Sequence, residues 1–185
     1  MVVVSAYDPE WPARAALTIA RLHEALGPSA QRIEHIGSTA IPGMAAKDLI
    51  DLQVSVADLD DAVAKFDAPL RGLGYERRPY DRDHVPAGCV DDPARWAKRF
   101  WRGDRVNLHV RVTGSPNERF ALLFRDWMRA HPEAVPAFGA IKRSLAAALP
   151  DASTYTDVKD PIVDLVIAVA DAWARETRWT PYREA

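Results

Sequence analysis

Cysteine is nearly absent: Cys89 is the single thiol in 185 residues. One thiol cannot build an internal disulfide framework, which suits a reducing compartment. An excess of either charge is also missing, since 24 Lys and Arg face 26 Asp and Glu, for a net charge of −2. No global basic field exists to hold nucleic acid nonspecifically, although a local patch stays open. Long apolar runs are lacking too. Near the C-terminus the longest, Ile162 to Ala170, is broken by Asp164 and is too short to span a bilayer. Met1 to Ala6 has no charged segment followed by a long apolar one, so no secretory signal is expected and the cytoplasm is the default location. There are no repeats and no low-complexity segment. A Walker loop, an HExxH sequence and paired CxxC sequences do not occur, which argues against the common P-loop and zinc enzymes. Neither Ser38 nor Cys89 has an obvious base beside it, so no nucleophilic triad stands out.

What the chain does have is enough apolar material for one core. Hydrophobic residues make up 48% and include 6 Trp. The length predicts a single domain over 1–185, with a mixed α/β sheet part over about 1–113 and a helical part over about 115–180. Val2 to Val4 is a strand candidate. Asp8-Pro9-Glu10 has the form of a helix start, and the stripe that follows ends at Gly27-Pro28. Ile33 to Ile36 and Leu49 to Val56 read as strands, Asp58 as the cap of a helix closed by Gly72 and Gly74, and Tyr75 to Arg78 as a strand. Pro79 to Pro93 reads as a loop, followed by a hairpin turning at Gly103-Asp104. Beyond that the chain is helical: Ser115-Pro116-Asn117-Glu118 fits a capping box, His131-Pro132-Glu133 restarts a helix, and Asp160-Pro161 starts the last. The fold class is α+β, a small mixed sheet backed by helices.

Two strands alternate cleanly. Ile50, Leu52, Val54 and Val56 share one face, and Asp51, Gln53 and Ser55 the other. Val106, Leu108, Val110 and Val112 oppose Arg105, Asn107, His109 and Arg111 in the same way. If the strands are neighbours, Asp51 and His109 meet over the Gly37-Ser38-Thr39 turn. Its small residues, free N–H groups and hydroxyls suit close approach to a phosphate. Lys47, just before the Asp51 strand, can offset phosphate charge. His35 lies within reach as a further ligand-contacting residue. The alternative is that both polar rows are outer faces of a solvated sheet. Arg125, Lys142 and Lys159, on helices, read as a solvated basic face.

With those residues in view, the chain resembles the GrpB family, also called UPF0157. The matching residues are Tyr7 to Pro12, Glu34 to Lys47 and Ile50-Asp51-Leu52, then Leu108-His109-Val110, Phe124 to Arg129, and Tyr155 with Lys159. The resemblance implies a nucleotidyltransferase-like fold. In that superfamily a Gly-Ser turn precedes a strand carrying Asp-x-Asp or Asp-x-Glu, whose acids, with a third from a later strand, hold two Mg²⁺ ions. Carried over, Gly37 and Ser38 match the turn and Asp51 the first acid. Gln53 stands at the second acid position, and Asn107 or His109 where the third is wanted. The implied site has Asp51 and His109 as catalytic residues, Asp51 and Gln53 as Mg²⁺ ligands, and Gly37, Ser38, Thr39, Lys47 and His35 as substrate contacts. The expected ligand is a nucleotide or phosphorylated metabolite, with Mg²⁺-dependent transfer as the activity. Two alternatives stay open: a noncatalytic domain contacting a protein partner, for instance through Trp127, Trp173 or Trp179, and a metal-assisted hydrolase using His35, Asp51 and His109. The family also occurs fused behind dephospho-CoA kinase in some actinobacterial proteins, where an accessory role in folding has been suggested.

Overall fold

The computed structural model describes residues 2–149 and 151–181. Five strands form one mixed sheet in the order β1-β2-β5-β4-β3: β1 (Arg32–Ile36), β2 (Ile50–Val56), β3 (Glu76–Arg78), β4 (Arg99–Gly103) and β5 (Val106–Val112). β2 and β5 are parallel and central, and the other neighbours are antiparallel. The helices are α1 (Trp11–Leu26), α2 (Leu59–Gly72), α3 (Pro116–Ala130), α4 (Val135–Ala148) and α5 (Ala152–Thr177).

The apolar rows of β2 and β5 face α1 and α2. Leu52, Val54, Leu108 and Val110 join Leu22, Leu26, Phe66 and Leu70 in the main core. Asp58 caps α2 as expected, accepting from the N–H groups of Asp60 and Asp61 at 2.9 and 2.8 Å. On the other face lies α3, bound to the edge strand by Arg125, which donates to Glu34 at 2.7 Å and to the His35 carbonyl at 3.0 Å. A second cluster joins α3, α4 and α5 through Phe124, Met128, Phe138 and Ile167. Trp173 and Trp179 pack against Leu123, Ala170 and Ala174 at the α3–α5 seam.

Several local expectations change. Val2 to Val4 is not a strand; only Ser5 bridges, to Ala46. Asp8 accepts from Glu10 N–H in the turn before α1, and the helix begins at Trp11. Asp160-Pro161 does not start the last helix. Asp151 does, accepting from Thr154 N–H and hydroxyl at 2.9 Å each, and Pro161 lies inside α5. Starting α5 about two and a half turns earlier brings Tyr155 into the interior, 3% exposed. The capping box at α3 is displaced by one residue. Glu118 accepts from Gly114 N–H at 2.9 Å rather than from the N-cap residue, because its other oxygen takes the Ser55 hydroxyl at 2.6 Å.

The polar face of β2 is not solvated. Every residue of the strand except Asp51 is buried. Gln53, fully buried, accepts from Arg111 at 2.6 Å and donates to the Glu118 carbonyl at 3.3 Å. Arg111 in turn donates to Asp83 at 2.7 and 3.1 Å, and Lys98 donates to the same carboxylate at 2.6 Å. A row that alternates polar and apolar is therefore dry on both sides, its polar half satisfied by α3 and the loop before β4.

Candidate ligand-binding site

The register sets the site. Ile36 pairs with Asp51, so the turn after β1 begins beside the Asp51 carboxylate. Gly37 turns there with φ +70°, and a Cβ at this position would stand 2.7 Å from Asp51 Oδ2. Only glycine admits that approach. On the other side, β2–β5 pairing places Asn107 opposite Asp51 and His109 opposite Gln53. Asn107 Nδ2 donates to Asp51 Oδ1 at 2.8 Å, and His109 Nε2 lies 3.5 Å from the same oxygen. The Asp51 side chain is 28% exposed, toward the cleft.

Burial pushes the Asp51 carboxyl up, but the hydrogen bond and charge of His109 and the bond from Asn107 outweigh it, and the group lies below the usual carboxylate range. His109 is lowered by burial first, against the pull of Asp51, and then by Arg111 and Lys98. Its imidazole is neutral at pH 7. Arg111 approaches Nδ1 at 3.5 Å, which assigns the ring proton to Nε2, facing Asp51. The Phe100 ring meets His109 edge-on at 5.0 Å. His109 thus orients an ionised Asp51.

Two cavities meet at this point. The larger, about 390 Å³, has Gly37, Ser38, Asp51, His109 and Arg111 at its base and Trp96, Phe120, Phe124, Phe138 and Ile167 along its walls. Asp160 and Asp164 also line it, and His84 reaches over from the loop before β4 to meet Asp164 at 3.1 Å. The smaller, about 150 Å³, is lined by Ser38, Thr39, Lys47, Asp51, Asn107, Lys142, Tyr155 and Lys159. Ser38, Asp51 and Lys159 belong to both.

Of the residues expected from sequence, Asp51, His109, Gly37, Ser38, Thr39 and Lys47 converge here. His35 does not. Its Nε2 lies 2.9 Å from Thr39 Oγ1, and burial, then Arg129, holds its pKa down to about 4. It braces the turn as a neutral ring behind the cavity wall. Gln53 does not reach the cleft either, because Arg111 and the Glu118 carbonyl engage both ends of its buried amide. The expectation that Gln53 shares a metal with Asp51 is corrected on that ground. Asp48 is no substitute: Trp11, Arg14 and Arg105 hold it at 2.9, 2.7 and 2.7 Å on the α1 side.

The residues missed as site residues are Lys142, Lys159 and Tyr155. Lys142 had a readable signal. It falls on the inward stripe of α4 with Val135, Phe138, Gly139 and Ala146, where an amphipathic helix places apolar side chains. Tyr155 was present only as part of the family resemblance, and Lys159 there and as one of the helix lysines read as solvated.

The two Mg²⁺ ions that the superfamily implies would have to be held by these donors. Asp51 brings the single carboxylate next to the turn, Asn107 Oδ1 a neutral oxygen that is buried without a partner, and His109 a ring engaged on both sides. Mg²⁺ is held by one or two protein carboxylates together with substrate phosphates and water, so a pair of ions needs more than the single carboxylate at this turn. Among the described residues no group of three or more His, Cys, Asp or Glu is placed to hold a metal. The residues present do not fit a two-metal centre.

A mixed sheet with a Gly-Ser turn against a strand-borne aspartate is the framework of nucleotidyltransferase-like proteins. Cid1 poly(U) polymerase in its MgGTP-bound crystal structure shares that fold, with a TM-score of 0.50 at 16% identity over 75% of this chain and 43% of its own. The chain belongs to the GrpB family, whose model matches residues 1–169. The crystal structure of conserved protein GrpB from Enterococcus faecalis is similar over 92% of this chain and 99% of its own, with TM-score 0.75 and 25% identity. UPF0157 protein BH1888 of Halalkalibacterium halodurans is 31% identical over 90% of this chain and 80% of its length. A Mycolicibacterium paratuberculosis protein named dephospho-CoA kinase is 40% identical over 94% of this chain but only 47% of its own length. The chain thus spans about half of such relatives. No helix among the described residues is long and apolar enough to cross a membrane.

Proposed function

We propose that this protein binds a nucleotide or similarly phosphorylated small molecule across the two joined cavities. The observation that carries the reading is their pairing: an aromatic-walled space and a lysine-lined one share Ser38, Asp51 and Lys159 in their linings. A planar, partly apolar group fits the first and an anionic group the second, the division of a nucleotide into base and phosphate. Asp51, ionised and oriented by His109 and Asn107, accepts a hydrogen bond from a ligand hydroxyl at the junction. The nucleotide-binding fold of Cid1 agrees with this reading without fixing the ligand.

Isothermal titration of the purified chain with a panel of nucleoside mono-, di- and triphosphates and sugar phosphates tests it. At least one compound binds in the micromolar range, and Asp51→Asn weakens it by about tenfold, the size of one lost charged hydrogen bond. A folded protein that binds no member of the panel, with or without Mg²⁺, overturns the proposal.

A further inference from the structure

We infer that Lys47, Lys142 and Lys159 form a phosphate compartment that works without a divalent cation, their ammonium groups supplying the positive charge. The inference rests on the proposed phosphorylated ligand and adds what neutralises it.

Three observations carry it. First, the acids that would hold metal are replaced in register: Asn107 lies opposite Asp51, and Gln53 is locked to Arg111. One carboxylate remains, and it already accepts from Asn107.

Second, Lys142 is 3% exposed, lines the smaller cavity, and has no hydrogen bond or ion pair with any described residue; its ammonium group stands 5.6 Å from the centre of the Phe138 ring. Lys47 stands over the Tyr155 ring at 4.4 Å, likewise without a carboxylate in contact. Lys159 has Asp160 at 3.8 Å as its one ion-pair partner among the described residues. A buried ammonium without an anion is costly, and the fold places one beside two more.

Third, the lysines are electrically coupled through this space. Burial first and then Lys159 depress both Lys47 and Lys142, while Asp51 opposes the shift in each. Asp51 and Asp160 face Lys47, Lys159 and a Lys142 that is about half protonated at pH 7, and an arriving anion draws the proton back onto Lys142, so the positive charge exceeds the negative once ligand is bound. That field repels a divalent cation and attracts a dianion. The Ser38 and Thr39 hydroxyls and the Tyr155 ring complete the lining.

The test uses the full chain freed of metal with EDTA in a chloride buffer. Sulfate, inorganic phosphate, pyrophosphate and ADP are titrated by calorimetry, then again with Mg²⁺ in excess of chelator. The expected result is anion binding in EDTA that Mg²⁺ changes by less than threefold or weakens. Lys142→Met and Lys159→Met should each lower pyrophosphate and ADP affinity by at least tenfold. Thermal melts in anion-free buffer verify that both variants are folded, and Lys159→Gln provides a second probe at the more exposed site.

Pyrophosphate binding comparable to ADP makes free phosphate sufficient for the compartment; tighter ADP binding shows the nucleotide using both cavities. Either supports the inference. Binding that disappears in EDTA and returns with Mg²⁺ overturns it while leaving the nucleotide reading intact. So does metal-free binding that the lysine variants leave unchanged. Failure of every phosphorylated compound under both conditions removes the ligand reading itself.

Discussion

Replacing Lys142 by methionine should make the ligand-free protein more stable. The side chain is 3% exposed, and burial first, then repulsion by Lys159, Lys47 and Arg143 against the pull of Asp51, lowers its pKa from 10.5 to about 7. The unfolded chain holds this proton up to its ordinary value. The folded chain gives it up near neutrality. Between those two values the unfolded state binds more protons, so stability rises with pH across that window. The penalty is fully present below the folded value and is relieved as pH rises toward the unfolded one.

Converted at 1.36 kcal/mol per unit, the full penalty is about 5 kcal/mol. Roughly 2 kcal/mol of it should be recovered between pH 7 and pH 9. Methionine keeps most of the aliphatic stem and removes the charge. Allowing for imperfect packing, Lys142→Met should gain about 2–4 kcal/mol at pH 7. For a chain of this size, each kcal/mol moves the melting temperature by about 2–4 °C. The assay is chemical denaturation and thermal melting of both proteins in chloride buffer from pH 6 to pH 9.5. The stability difference should shrink as pH rises, because only the wild type carries the titrating group. A variant less stable than wild type at pH 7, or a difference independent of pH, refutes the reasoning: Lys142 would then have a partner that pays for its burial.

Gly37→Ala should cost about 1–3 kcal/mol for the left-handed backbone, and should also displace Asp51, since the new methyl would stand 2.7 Å from its Oδ2; a melt and a nucleotide titration read the two effects. Gln53→Glu should not create a metal site. The new carboxylate would pair with Arg111 and face the Glu118 carbonyl it can no longer donate to, costing about 1–3 kcal/mol, and a gain of Mg²⁺ affinity by titration would contradict the placement. Asp83→Asn should destabilise the fold by about 3–5 kcal/mol at pH 7, because Arg111 and Lys98 lose their shared carboxylate. Burial raises that carboxyl, but Arg111 and then Lys98 hold it well below 3.8. Its contribution is therefore present above the unfolded value and lost as pH falls beneath it, so the acid limb of the wild-type stability curve should be steeper than the variant's.

The period-two alternation of β2 and β5 was legible and assigns each side chain to the right face. It did not show what covers the second face. The same pattern describes a wet sheet and one whose polar row is sealed by buried bonds, and the partners here come from far along the chain: Asp83 from a polar loop, Glu118 from the first turn of α3. The turn and Asp51 were legible because register puts them within a residue of each other. Asp160-Pro161 misled because Asp-Pro marks a start only when nothing upstream is helical; the Asp151 cap had already begun α5.

The lysines mark the limit most clearly. Read residue by residue, a lysine on a helix is a solvated group, and at most positions it is. Position on the inward stripe was the contrary sign. A charge kept there lowers stability by an amount that an alanine or leucine would avoid. Packing alone gives no reason to place Lys142 against Phe138 and the Asp51 cavity. An anion that arrives with the ligand does, because it supplies the partner that Lys142 lacks and lies within the same cavity as Lys47 and Lys159. The cost to the empty protein and the attraction for phosphate are then the same electrostatic quantity measured in two states. This is why the stability of Lys142→Met and its loss of binding must be found together: a variant that gained stability and kept its affinity for pyrophosphate would separate the two and leave the buried ammonium without a role.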